Sequence, residues 1–94
     1  MTHRWKVSIS PKAERDILKL PKKEREKVAV FLRRLVDDFP HPRLTGARLV
    51  GLHRGLWRYR LGDYRIICDL FDDRLVVRVV AVAHRKEVYT KRFH

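Results

Sequence analysis

An α+β fold in the order β-α-α-β-β-β is predicted by three features of this 94-residue sequence. A period-two stretch opens the chain, two amphipathic helical segments split by a proline follow, and three strand-like runs joined by short turns close it. Each helical segment has an apolar stripe to bury. The helical hairpin is therefore expected to lie on one face of a small sheet, whose last three strands form an antiparallel meander within a single domain spanning 1–94.

Trp5, Val7 and Ile9 alternate with Lys6, Ser8 and Ser10, which reads as a first strand with one apolar face. Ser10-Pro11 then opens a helix, Ser as the N-cap and Pro at the first helical position. Ala13, Ile17, Leu18 and Leu20 supply its buried stripe, and Pro21 ends it. A second helix is expected from about Lys22 to Asp38. Val28, Phe31, Leu32, Leu35, Val36 and Phe39 recur at helical spacing, while Lys23, Glu26, Lys27, Arg33 and Arg34 form a solvated face. Pro40 and Pro42 stop it. Residues 40–55 lack sustained periodicity and read as an irregular connection lying over the core through Leu44, Leu49 and Leu52.

The stretch Leu56 to Arg65 carries the strongest signal. Gly62-Asp63 suits a two-residue type II′ turn, because glycine accepts positive φ at the first turn position. The register then follows: Leu61 faces Tyr64, Arg60 faces Arg65 and Tyr59 faces Ile66. Arg58, Arg60 and Arg65 gather on one face, and Trp57, Tyr59, Leu61, Tyr64, Ile66 and Cys68 on the other. Like charges set opposite each other destabilise a sheet, so the Arg60–Arg65 pair is expected to be held for an anion. The aromatic face would go under the helices and the arginine face would stay open. Asp72-Asp73-Arg74 makes the next turn, and Leu75 to Ala83 reads as a strand buried on both faces, with Arg78 in need of a partner or an edge.

The formal net charge of +12 favours a polyanionic or acidic partner. The single cysteine, Cys68, excludes an internal disulfide and reads as a small buried hydrophobe. With no signal-peptide pattern and no apolar run of spanning length, the expectation is a cytoplasmic protein without membrane contact. A phosphate-binding glycine loop is missing. His3, His41, His53, His84 and His94 make no close pair of the kind a zinc site uses, so neither metal nor cofactor is expected.

What remains is a site of cations with one or two proton carriers. Arg58, Arg60 and Arg65 come from the hairpin; His84, Arg85, Lys86 and Tyr89 follow the last strand. Guanidinium groups bind phosphate oxygens bidentately and keep their charge. Tyr89 or His84 is the candidate proton carrier, provided that neighbouring cations lower a tyrosine's usual pKa of about 10.

Three segments together resemble the RelE/ParE superfamily of bacterial type II toxins: Gly55-Leu56-Trp57-Arg58-Tyr59-Arg60, Gly62-Asp63-Tyr64-Arg65-Ile66 and Val82-Ala83-His84-Arg85-Lys86-Glu87-Val88-Tyr89. The resemblance extends to Ser10-Pro11, the helical hairpin and the Leu44…Gly46…Leu49…Gly51-Leu52 spacing, and so covers nearly the whole chain. It implies a two-helix hairpin on a mainly antiparallel sheet and a cognate acidic antitoxin in a hetero-oligomer. RelE-type members cleave mRNA in the A site of the 70S ribosome without a metal. The 2′-hydroxyl attacks the adjacent phosphate and leaves a 2′,3′-cyclic phosphate and a 5′-hydroxyl. Carried over, Arg58 and Arg60 match the basic pair on the strand, Arg65 the arginine of the Gly-x-Tyr segment, and Arg85 and Tyr89 the C-terminal Arg and Tyr. Some RelE proteins have lysines where Arg58 and Arg60 stand; arginine is a much poorer proton acceptor. The alternatives are a ParE-like, non-enzymatic gyrase poison and a family member that only binds its antitoxin or DNA.

Overall fold

Strand β1 (Lys6–Ile9) runs straight into helix α1 (Pro11–Leu18), and the junction is built as its sequence predicts. In the computed structural model, which describes residues 4–49 and 55–88, the Ser10 hydroxyl accepts the Ala13 N–H at 3.1 Å and Pro11 fills the first helical position. Helix α2 (Lys22–Asp37) begins directly after Pro21. A 3₁₀ turn (Pro42–Leu44) and a two-residue strand β2 (Ala47–Arg48) follow, then β3 (Trp57–Leu61), β4 (Tyr64–Phe71) and β5 (Val76–His84). The sheet order is β1-β5-β4-β3-β2. The last three strands form the antiparallel meander, and β1 joins it parallel to β5.

The expectation of an irregular segment over 40–55 is corrected by β2. Ala47 and Arg48 pair antiparallel with Arg58 and Trp57, which makes five strands among the described residues where four are predicted. Two residues are too few to display a period. Leu18 and Leu44, assigned to the core from sequence, are 62% and 65% exposed. Leu18 is the last residue of its helix, and Leu44 closes the 3₁₀ turn on its outer side. Leu52 lies outside the described residues.

The main core lies between the helices and one sheet face. Val28, Leu32 and Leu35 of α2 meet Tyr59, Ile66, Cys68, Val77, Val79 and Val82, with Trp5 and Ala13 beside them. Each fully buried aliphatic side chain here contributes roughly 1.5–3 kcal/mol of transfer free energy. The second face is not left open as predicted. Leu49, Leu56, Ile67, Ala81, Ala83 and Val88 form a smaller cluster on it. Val88 is 1% exposed, so the chain after β5 folds back onto this face. Strand β5 is accordingly buried on both sides. Its Arg78 finds a partner, donating to the Ser8 hydroxyl at 3.0 Å, opposite Asp69 on the neighbouring strand.

A bulge in β5 decides which side chains reach which face. Ile67 lies opposite Ala81 and Cys68 opposite Val79, so Val80 is an extra residue. Before it the odd-numbered residues Val77 and Val79 face the helices; after it Val82 does, and Ala81 and Ala83 face away. Backbone groups freed by a bulge need other partners. The Val80 carbonyl accepts from the Ser10 hydroxyl at 3.0 Å, and the Val82 N–H donates to Asp16 Oδ2 at 3.1 Å. The same Asp16 oxygen holds Lys12 Nζ at 2.8 Å. Asp16→Ala orphans a strand N–H beneath a helix and is expected to cost about 1–3 kcal/mol in urea denaturation. Asp16→Asn retains an acceptor and should recover most of that loss.

Candidate phosphate-binding face

The hairpin register agrees with the sequence reading in each of its predicted pairs: Leu61 with Tyr64, Arg60 with Arg65, Tyr59 with Ile66. Gly62 has φ +60°, and Asp63 is not among the residues with positive φ, which is the pattern of a type II′ turn. Arg58 and Arg65 share their face with Ile67 and Ala83, their partners across the sheet, and so stand above the smaller apolar cluster.

Residues 42–47 brace this strand from its free edge. Trp57 Nε1–H donates to the Thr45 carbonyl, and the Tyr59 hydroxyl to the Pro42 carbonyl, both at 2.8 Å. Those two bonds fix the aromatic residues that alternate with Arg58 and Arg60. Gly46 passes so close, at φ +79°, that a Cβ there would lie 2.6 Å from the Arg58 carbonyl oxygen and 2.7 Å from both Trp57 Nε1 and Tyr59 Cδ1. Arg43 ties the brace to the β4–β5 turn through a 2.7 Å contact with Asp72. That hydrogen bond holds the Asp72 carboxyl below the usual carboxylate range. A cavity of about 270 Å³ opens where β2 begins, with Arg58, Arg60, Thr45 and Gly46 in its wall. Sequence periodicity does not reveal this brace, because its contacts come from isolated residues in a turn.

Arg65 folds over the turn and donates to the Gly62 and Tyr64 carbonyls at 2.9 and 2.8 Å. Its pKa is lowered, first by loss of solvent and then by Arg60, Arg58 and Arg85, while Asp63 acts in the opposite sense. Arginine remains charged regardless. Arg85 arrives from beyond β5, and its backbone N–H donates to the Asp63 carbonyl at 2.8 Å. Four of the predicted site residues, Arg58, Arg60, Arg65 and Arg85, are thus brought together. Lys86 is exposed one residue further along.

His84 stands apart from this group. The bulge turns it to the helix side, where its ring meets Tyr64 edge-on at 5.8 Å. Its Nδ1 accepts the Lys86 backbone N–H at 3.2 Å, which assigns the neutral ring its proton on Nε2. Tyr89 lies outside the described residues. Cys68 is fully buried and its thiol pKa is pushed up by desolvation, so it does not act as a nucleophile. Among the described residues no cluster of three or more His, Cys, Asp or Glu side chains is arranged to hold a metal ion, and no helix is long and apolar enough to cross a membrane.

A sheet covered by a helical hairpin, with four arginines around its β3–β4 hairpin, defines a small basic α+β domain with a cationic face. Residues 7–89 match the model for the ParE toxin of type II toxin–antitoxin systems, parDE, and the chain belongs to that family within the RelE/ParE superfamily. Similar solved structures include the toxin–antitoxin complex RelBE2 from Mycobacterium tuberculosis, at 27% identity and a TM-score of 0.78, covering 88% of this chain and 100% of that chain. The archaeal RelE–RelB complex from Pyrococcus horikoshii is 28% identical with a TM-score of 0.69, covering 86% and 94%. A mutant of E. coli toxin RelE in the free state shares the fold at 20% identity and a TM-score of 0.73, covering 93% and 90%. Among curated proteins none matches by sequence.

Proposed function

We propose that this toxin is a metal-independent, ribosome-dependent mRNA endoribonuclease. The observation that carries this reading is the meeting of Arg58, Arg60, Arg65 and Arg85 around one hairpin tip. In the reaction the 2′-hydroxyl attacks the adjacent phosphorus and the bond to the 5′-oxygen breaks, giving a 2′,3′-cyclic phosphate and a 5′-hydroxyl. Charge grows on the phosphoryl oxygens, where preorganised guanidinium donors stabilise it most. Arginines are poor bases, so proton transfer falls to Tyr89. That residue follows Val88, whose side chain is buried on the arginine side of the sheet. A phenol brought beside the cluster would have its pKa lowered by that positive charge. Lys86 adds a further cation for the RNA backbone.

An acidic antitoxin is the expected partner. A groove of about 610 Å³ runs beside α2, with Val30, Phe31, Phe39 and Leu61 as its apolar floor and three cations, Lys23, Lys27 and Arg34, with one carboxylate, Glu26, on its rim. This suits an amphipathic segment with acidic edges, and the similar RelBE2 structure is a toxin–antitoxin complex.

Programmed 70S ribosomes supplied with the purified chain test the reading. Cuts positioned by the A-site codon and ending in 2′,3′-cyclic phosphate are expected, and Tyr89→Phe should slow single-turnover cleavage about 10²–10⁴-fold. The matched family model favours a second reading, a ParE-like protein that poisons gyrase without being an enzyme. Intact mRNA together with stabilised gyrase–DNA cleavage complexes would select it.

A further inference from the structure

The tip of the β3–β4 hairpin sets a carboxylate inside the cationic cluster. Asp63 Oδ1 lies 3.8 Å from Nε of Arg85, and both side chains are open to solvent. Its backbone carbonyl separately accepts the Arg85 N–H at 2.8 Å. Two different atoms of one residue therefore hold Arg85: the carbonyl holds the chain and the carboxylate holds the charge. Beside them Arg65 is bound to the carbonyls of Gly62 and Tyr64, the residues on either side of Asp63, and Arg60 stands opposite it in register. An exposed pair at this distance is weak and exchanges readily. A carboxylate so placed repels phosphate and competes with it for the same guanidinium.

Given the RNA-phosphate reading of this face, on which the inference rests, we infer that Asp63 is a stand-in anion that occupies Arg85 until a phosphate of the RNA takes its place. A single small anion gains little by exchanging one weak contact for another. A strand that engages several arginines at once outcompetes the carboxylate easily. Asp63 is thus a specificity-determining residue that raises the threshold against isolated anions and favours polyanions.

Asp63→Asn removes the charge and keeps the carbonyl that ties down the tail. Binding of a fluorescently labelled oligouridine to the full chain is measured over a series of salt concentrations. The variant should bind about two- to fivefold more tightly. Its log–log salt slope should steepen by about 0.7, the increment for one more phosphate contact on a single strand. Asp63→Glu restores the charge and should return both values toward wild type. Weaker binding by Asp63→Asn, or an unchanged affinity and slope, overturns the inference while leaving the RNA site in place. No binding by either protein at low salt overturns both.

Discussion

Arg65→Ala and Arg85→Ala are each expected to slow codon-positioned mRNA cleavage about 10²–10³-fold, the usual loss when one preorganised donor to a developing oxyanion is removed. The effect should fall on the single-turnover rate more than on ribosome affinity, since neither guanidinium is the sole source of positive charge on this face. Arg85 is exposed and its backbone bond to Asp63 does not depend on its side chain, so Arg85→Ala should melt close to wild type. Arg65→Ala gives up two hydrogen bonds to the turn and is expected to be somewhat less stable. Full cleavage by the Arg85 variant would remove that side chain from the chemistry.

Gly46→Ala is expected to be the most destabilising of the conservative substitutions considered. The added Cβ would meet a backbone carbonyl and two aromatic side chains at 2.6–2.7 Å, and both aromatic residues are themselves hydrogen-bonded into the brace. Overpacking of this kind costs about 1–3 kcal/mol. The left-handed backbone adds roughly 1–2 kcal/mol for a residue with a side chain. Together these should lower the melting temperature by about 10 °C or more in a chain of this size. Gly55 and Gly62 also have positive φ but, among the described residues, nothing near the position of a Cβ, so alanine there should cost less. A thermal melt of the three variants gives the comparison directly. Similar melting points for all three would mean that the brace yields at Gly46.

Most of the fold could be read from the sequence because its signals are local. Ser10-Pro11, Pro21 and Gly62-Asp63 each impose a specific backbone event on their immediate neighbours, and the structure has each of them. The arginine face was legible for the same reason: a two-residue turn fixes register, and register fixes which residues share a face. What escaped was tertiary. Strand β2 exists because Ala47 and Arg48 find β3, and their own pattern does not require it. The bulge at Val80 interrupts a run that is apolar throughout, so alternation could not mark it. Its result, His84 beside Tyr64 and away from the arginines, was equally hidden. The fold-back of Val88 depends on Ile67, Ala81 and Ala83 presenting an apolar surface that forms only once the sheet is assembled.

The bulge also makes β5 unequal in its tolerance of length changes. Val80 is one residue of slack, fastened by Ser10, with Asp16 holding Val82 just beyond it. A lineage that lost Val80 would keep Ala81 to His84 on their present faces and give up only the kink and its fastenings. Gaining a residue just beyond it would turn alanines toward the helices and valine and histidine toward the arginine side. Among relatives of this chain, deletions at this point should therefore be tolerated more often than insertions.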